Sequence, residues 1–264
     1  MARSTVHFRE SGSGAYVICI HSSASSSSQW RTLMSSLSEK YHAVAVDLYG
    51  YGKSPDWPSL KDVRLADEIA LIEPILSQAG RFHLVGHSHG ANISLKIALD
   101  YPDNVASLTL YEPTAFYLLE PGESARLEIE TIRDETKRLV EAGENEKAAE
   151  RFVDYWIGPG AWLATAEPVR AGIAKGMGKV KFEWGAGFDP KCSVQQIQVL
   201  SMPILLLTGA LTNSSTRGVV EVLRRLLPRA NYDAELNGLG HMGPVTHPDV
   251  VNREIVDFIN EVQK

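Results

Sequence analysis

The chain has 264 residues, 44% of them hydrophobic and 22% charged, with a formal net charge of −6. That length and apolar content suffice for a large core in one domain carrying an insertion, and the acidic balance leaves no basic footprint for nucleic acid or an anionic membrane surface. Two cysteines, Cys19 and Cys192, are too few for a disulfide framework or a cysteine-based metal site, and both read as buried free thiols.

The first ten residues contain no apolar run of the signal-peptide kind, and no stretch approaches the ~18 apolar residues of a membrane span. A cytoplasmic protein with a small-molecule partner and no membrane contact is the expectation. The oligomeric state leaves no mark in the sequence.

Residues 6–9 suit a short edge strand. After the turn Gly12-Ser13-Gly14 comes the continuous apolar run 15–20, the pattern of a strand covered on both faces. The serine-rich stretch 21–28 joins that strand to a helical face carrying Trp30, Leu33, Met34 and Leu37, so it reads as a tight loop and helix cap rather than a flexible linker. Residues 41–46 form another buried strand, ending in Asp47-Leu-Tyr-Gly50-Tyr-Gly52-Lys-Ser54, and Pro55 and Pro58 mark a surface loop. A helix over about 60–78 follows, then a strand over 82–85 and a helix over 91–99. Residues 107–111 make one more strand, terminating at Glu112-Pro113. This alternation argues for parallel crossovers.

From 113 to about 200 the rhythm changes to charged amphipathic helices, over 124–142 and 145–156, followed by a less regular stretch to Phe188 with no buried strand. Phe116, Tyr117, Phe152, Tyr155, Trp156, Trp162, Phe182 and Trp184 lie in this segment. Most of them build its core and a minority face a substrate pocket. Residues 203–209 restore the sheet, a helix over 217–227 and a strand over 231–236 follow, and Pro248 opens a last helix. The domain reading is a core of 1–112 with 201–264, interrupted by a helical cap over 113–200.

Gly86-His-Ser88-His-Gly90 sits where a strand meets a helix, the context in which G-x-S-x-G places a nucleophilic serine on a sharp turn. A serine hydroxyl needs a neutral imidazole to accept its proton and an acid to orient that imidazole. Of the eight histidines, His241 lies in the glycine-rich loop Gly238-Leu-Gly240-His241-Met-Gly243 after the last strand, and in a parallel sheet that loop opens on the edge where Ser88 sits. His21, His87 and His89 adjoin the site but are tied to its backbone turns. His7, His42, His83 and His247 read as structural or solvent-facing.

With His21-Ser-Ser, Asp47-x-x-Gly50-x-Gly52-x-Ser54, Gly86-His-Ser-His-Gly90 and Gly240-His241 in this order, the chain resembles the α/β-hydrolase superfamily along essentially its whole length. The resemblance implies a mostly parallel twisted sheet with helices on both faces, a helical cap, and a serine hydrolase that forms an acyl-enzyme on Ser88 without a cofactor. Two departures stand out. The family's acid commonly lies about three residues beyond the glycine that ends the penultimate strand, yet Gly209-Ala-Leu-Thr212-Asn213 offers no carboxylate. A variation within the superfamily places the acid at the end of the strand after the nucleophile helix, where this chain has Glu112. Its other reading is a charged hinge residue, with Asn213 as the alternative orienter.

The second departure is Ser22, where the family usually has glycine. By resemblance the oxyanion hole is formed by the backbone N–H groups of Ser23 and His89. His21 is expected to hold its loop, and Asp47 to anchor the glycine-rich turn. A carboxylic ester or related acyl compound is the expected substrate, with lactone hydrolysis, C–C hydrolysis and cofactor-free perhydrolysis as further options. A non-catalytic, receptor-like binding protein is the alternative class.

Overall fold

The computed structural model describes residues 5–188, 194–227 and 232–264. The elements run β1 (Phe8–Ser11), β2 (Ala15–Ile20), α1 (Arg31–Leu37), β3 (Tyr41–Val46), α2 (Leu65–Ala79), β4 (Phe82–His87), α3 (His89–Asp100), β5 (Val105–Tyr111), α4 (Ser124–Glu141), α5 (Asn145–Ile157), α6 (Ala161–Ala164), α7 (Glu167–Phe188), α8 (Val194–Gln198), β6 (Ile204–Gly209), α9 (Ser214–Leu226), β7 (Tyr232–Leu236), α10 (Gly243–Thr246) and α11 (Pro248–Val262). The seven strands form one sheet in the order β1-β3-β2-β4-β5-β6-β7. Only β1 is antiparallel to its neighbour.

Strand alternation sends successive side chains to opposite faces, and each face has its own apolar layer. Ile18, Ile20, Val44, Leu84, Leu108, Leu110 and Leu206 pack with α2, α3 and α9. Val17, Cys19, Ala43, Ala45, Val85 and Leu205 pack with Trp30, Leu33 and Leu37 around α1 and with Val251, Ile255 and Ile259 of α11. Burial on both faces is why these strands read as unbroken apolar runs. Cys19 is fully buried, and burial raises its thiol pKa far above the ordinary range. Cys192 and the proposed strand start at residue 231 lie outside the described residues.

The serine-rich stretch forms a 3-10 turn over Ser27–Trp30, with the Ser26 side chain accepting from Ser28 N–H, and leads directly into α1. α2 starts at Leu65, not near residue 60. The backbone N–H of Arg64 donates to the Asp67 carboxylate at 3.0 Å, a capping contact that sets the first turn, while Leu60 is exposed.

The irregular stretch before Phe188 is in fact mostly the 22-residue helix α7. Its five glycines lower intrinsic helix propensity and break up the apolar periodicity, so packing against α4 and α5 decides its conformation. Among the described residues of 113–200 there is no strand. No helix among the described residues is long and apolar enough to cross a membrane.

Candidate active site

Parallel strands bring their C-terminal ends to one edge of the sheet, and the site is built there. β2 runs into His21-Ser22-Ser23, β4 into Ser88, β5 into Glu112 and β6 into Gly209, while the loop after β7 carries His241. Ser88 has φ 58° and ψ −118°. This positive-φ conformation costs about 1–3 kcal/mol for a non-glycine residue and persists because its surroundings impose it. Ser88 N–H donates to Tyr111 O at 2.9 Å, and Ser88 O accepts from Asn92 N–H at 3.0 Å.

The flanking glycines have a steric cause. A Cβ at Gly86 would lie 2.5 Å from Gly90 O and from Ser94 Oγ, and one at Gly90 would lie 2.3 Å from Ile20 O. The turn closes only because the strand, the helix and the β2 loop approach to backbone distance.

Ser88 Oγ lies 2.9 Å from His241 Nε2, and His241 Nδ1 lies 2.7 Å from Glu112 Oε2. All three residues are buried. Glu112, also at positive φ (45°), is held by further donors. Its Oε1 accepts from Gly209 N–H at 2.7 Å and from the Thr208 hydroxyl at 3.1 Å, and its Oε2 accepts from the Thr212 hydroxyl at 2.6 Å. Thr212 occupies the position three residues past Gly209, where the resemblance places a carboxylate. In this chain a hydroxyl there donates to a carboxylate arriving from β5. Asn213 is directed elsewhere, its amide donating to Tyr155 O at 2.9 Å.

The remaining histidines take distinct places. His21 Nε2 accepts from Leu48 N–H at 3.1 Å, so its Nδ1 carries the proton and donates to Ser22 O at 2.7 Å. That ties the β2 loop to the β3 loop. Gln29 accepts from the Ser22 N–H and hydroxyl through Oε1, and its Nε2 lies 3.1 Å from His87 Nδ1. His87 Nε2 in turn lies 2.8 Å from His241 O.

With the Gln29 amide as donor, His87 carries its proton on Nε2 and donates to His241 O. Burial holds the His87 pKa well below the ordinary histidine value. This relay from Ser22 through Gln29 and His87 to the His241 backbone has no signature in sequence spacing. His83 bonds Ser107 and Gln263, and His42 lies against Glu10.

Asp47 accepts from Ser27 N–H at 2.6 Å and Lys53 N–H at 3.0 Å, and lies 2.7 Å from His7 Nδ1. Burial alone would raise its pKa, but these hydrogen bonds outweigh burial and hold it below the ordinary carboxylate value.

Side chains from the described part of the segment between β5 and β6 border the site. Trp156 on α5 stacks on the His241 ring, centroids 4.1 Å apart and planes at 29°. Phe116, Phe152, Trp156 and Trp184 all line cavities that touch Ser88. That is half of the eight aromatics singled out in this segment, more than the minority expected. A larger hollow of about 520 Å³, between Asp62, Arg133, Lys137 and Phe188, touches neither Ser88 nor His241.

Beside Ser88 lies a buried charged group that the sequence does not announce. Lys179 Nζ donates to Glu68 Oε1 at 2.7 Å and to Glu183 Oε1 at 2.9 Å, and Tyr51 donates to Glu183 Oε2 at 3.0 Å. Spaced i, i+4 on a helix, Lys179 and Glu183 would ordinarily read as a solvated pair, yet both are buried. Burial would raise the Glu183 pKa, but Lys179 chiefly overrides it and brings it down to about 2. Glu68, His89 and Glu183 bring ligand-type atoms within 4.8 Å of one another. The Lys179 ammonium already bridges the two carboxylates, so the chain supplies its own cation there.

A sequence profile of the alpha/beta hydrolase family matches residues 17–254. The chain belongs to this family. Its fold closely matches that of a thermophilic esterase from Thermogutta terrifontis, with a TM-score of 0.78 at 21% identity over 98% of this chain and 94% of that one. By sequence it is 24% identical to the pimeloyl-[acyl-carrier protein] methyl ester esterase of Nitrosomonas europaea over 86% of this chain and 88% of that protein. It is also 40% identical to the probable lysophospholipase BODYGUARD 1 of Arabidopsis thaliana, over 40% of this chain and 24% of that protein. The matched stretches span only 24% to 42% of that protein and of two further curated relatives, an acetyltransferase component from Cupriavidus necator and a hydrolase from Mesorhizobium japonicum.

Proposed function

We propose that this alpha/beta hydrolase is a serine hydrolase that cleaves a carboxylic ester through an acyl-enzyme on Ser88, with residues 1–112 and 201–264 as the hydrolase core and 113–200 as a helical cap. The observation that carries the reading is the continuous hydrogen-bonded row from Ser88 Oγ through both His241 nitrogens to Glu112, inside a buried site. Ser88 Oγ attacks the carbonyl carbon while His241 Nε2 takes its proton. Glu112 holds His241 with Nδ1 protonated and stabilises the imidazolium as it forms.

The N–H groups of Ser23 and His89 hold the developing oxyanion. Both residues border the small cavity beside Ser88, and backbone donors of this kind act without reorganising. The tetrahedral intermediate collapses when His241 returns the proton to the leaving alcohol. Water, activated by the same imidazole, then releases the acid.

Relatives named as ester hydrolases support the substrate class. The test is labelling of purified protein with a fluorophosphonate probe, together with hydrolysis of short-chain p-nitrophenyl esters. Wild type is expected to label and turn over, and Ser88→Ala to lose labelling and about 10⁴-fold or more in kcat. Labelling that persists in Ser88→Ala, or ligand binding in wild type with no turnover of any ester, would overturn the proposal.

A further inference from the structure

Two cavities meet at Ser88, and they differ in size and chemistry. The larger, about 320 Å³, includes His241 and is walled by Ile157, Val169, Ile173 and Val245. The smaller, about 30 Å³, excludes His241 and is lined by His89, Glu183, Thr114 and Phe116 among others. In the reaction proposed above, His241 hands its proton to the departing oxygen, so that oxygen lies on the His241 side and the alcohol extends into the larger, apolar cavity. The acyl group, with its carbonyl oxygen directed at the Ser23 and His89 N–H groups, is left the smaller one. That volume admits one or two groups the size of a water molecule beyond the carbonyl.

Phe116, Phe152, Trp156, Val180 and Trp184 make most of the smaller cavity's wall apolar, but its His89 and Glu183 side is not what a plain alkyl chain requires. His89 Nε2 is buried without a hydrogen-bond partner among the described residues, 3.7 Å from Glu183 Oε1. A buried polar atom left unpaired favours any ligand atom that pairs it. Burial lowers the His89 pKa to about 4, so the ring is neutral near pH 7 and offers one N–H donor and one acceptor.

Glu183 faces the same cavity, already bonded by Lys179 and Tyr51. Lys179 is shared between two carboxylates, so no positive charge is left over to receive an anionic acyl group. A cationic one would have to leave its water behind to enter a buried cavity of about 30 Å³, at a large cost in desolvation.

Resting on the serine-hydrolase reading, we propose that the smaller cavity is a polar acyl subsite in which His89 and Glu183 select a short acyl group bearing an uncharged hydroxyl. The hydroxyl pairs with His89 Nε2 and donates to or accepts from its neighbours on that wall. The preferred substrates are esters of short hydroxy acids with an apolar alcohol.

The test uses the full chain and matched 2-naphthyl esters in which a hydroxyl replaces a methyl: glycolate against propionate, and 3-hydroxypropionate against butyrate, with the hemisuccinate as the anionic member. Each kcat/KM is divided by the ester's own hydroxide rate, which removes intrinsic reactivity. At least one hydroxy ester is expected to exceed its isostere by roughly tenfold to hundredfold, and His89→Leu and Glu183→Gln are expected to bring that ratio toward one. The ratio is internal to each preparation, so a variant that folds incompletely still reports it.

Ser88-dependent hydrolysis with a wild-type ratio near one, a ratio unchanged in His89→Leu, or a preferred hemisuccinate overturns the subsite while leaving the hydrolase reading intact. No Ser88-dependent turnover of any ester overturns both.

Discussion

Replacing Glu112 with glutamine removes one charge and keeps the shape. The carboxylate receives four donors on two oxygens: His241 Nδ1 and the Thr212 hydroxyl on Oε2, and Gly209 N–H and the Thr208 hydroxyl on Oε1. Glutamine offers one oxygen and one NH₂, so one side must meet an NH₂ instead of an acceptor. Gly209 N–H is backbone and cannot turn around, whereas an imidazole can change tautomer.

The amide oxygen therefore stays on Gly209 and the NH₂ faces His241. Nδ1 becomes an acceptor, the proton moves to Nε2, and the atom 2.9 Å from Ser88 Oγ can no longer take the serine proton. A mis-set tautomer of this kind costs about 10⁴ in kcat, roughly 5 kcal/mol at 1.36 kcal/mol per tenfold. The assay is p-nitrophenyl ester hydrolysis, with circular dichroism to show that the variant is folded. Asn213→Ala should fall within about tenfold of wild type, since its amide serves Tyr155 O and not His241. Glu112→Gln with more than a tenth of wild-type kcat, or a larger loss in Asn213→Ala, would refute the assignment of the acid.

Gly90→Ala places a Cβ 2.3 Å from Ile20 O, a backbone atom of a central strand. The variant should lose about 3 kcal/mol or more in urea unfolding, since neither strand nor helix can retreat, and an unchanged midpoint would contradict the close approach. Trp156→Ala removes the ring stacked on His241 and opens both cavities. A loss of about 3–5 kcal/mol in stability and a raised KM for naphthyl esters are expected, and a KM equal to wild type would argue against the larger cavity as the alcohol site.

Stability should also fall in acid. His89 is held neutral by burial, with a pKa of about 4 against an ordinary 6.5. The unfolded chain therefore binds its proton first, and stability is lost as pH falls from 6.5 toward 4, by up to about 3 kcal/mol from this one group. Chemical unfolding at pH 7.5 and 5.0 measures the slope, which His89→Leu should reduce, and a slope that is unaltered would show that His89 is not the titrating group. Glu183 adds a lower window of the same sign. Its stabilisation is complete above an ordinary 4.5 and declines as pH falls toward about 2.

Much of the molecule was legible from local pattern because its causes are local. Strands buried on both faces are written as apolar runs, the amphipathic helices as one-sided stripes, and the elbow as glycines at the two positions where Gly86 and Gly90 meet backbone. The order of elements, with parallel crossovers from β2 onward, then places Ser88 and the His241 loop on one edge of the sheet without any side-chain detail.

What the sequence could not decide is which polar groups meet across that edge. Glu112 and His241 are 129 residues apart and Lys179 and Glu68 are 111 apart. Whether a carboxylate arrives at the imidazole, or a lysine is stripped of water, depends on angles and distances set by the whole packed sheet and the helices laid over it. The glycine-rich α7 is the clearest case: its own sequence disfavours a helix, and tertiary packing forms it and carries Lys179 and Glu183 to the wall beside Ser88. The sequence by itself determined the fold and the candidate nucleophile, because those follow from periodicity and backbone sterics. The tertiary structure decided that Glu112 meets His241, that Trp156 stacks on the same imidazole and that Glu183 lies beside Ser88, because each is a contact between residues that only the folded core brings together.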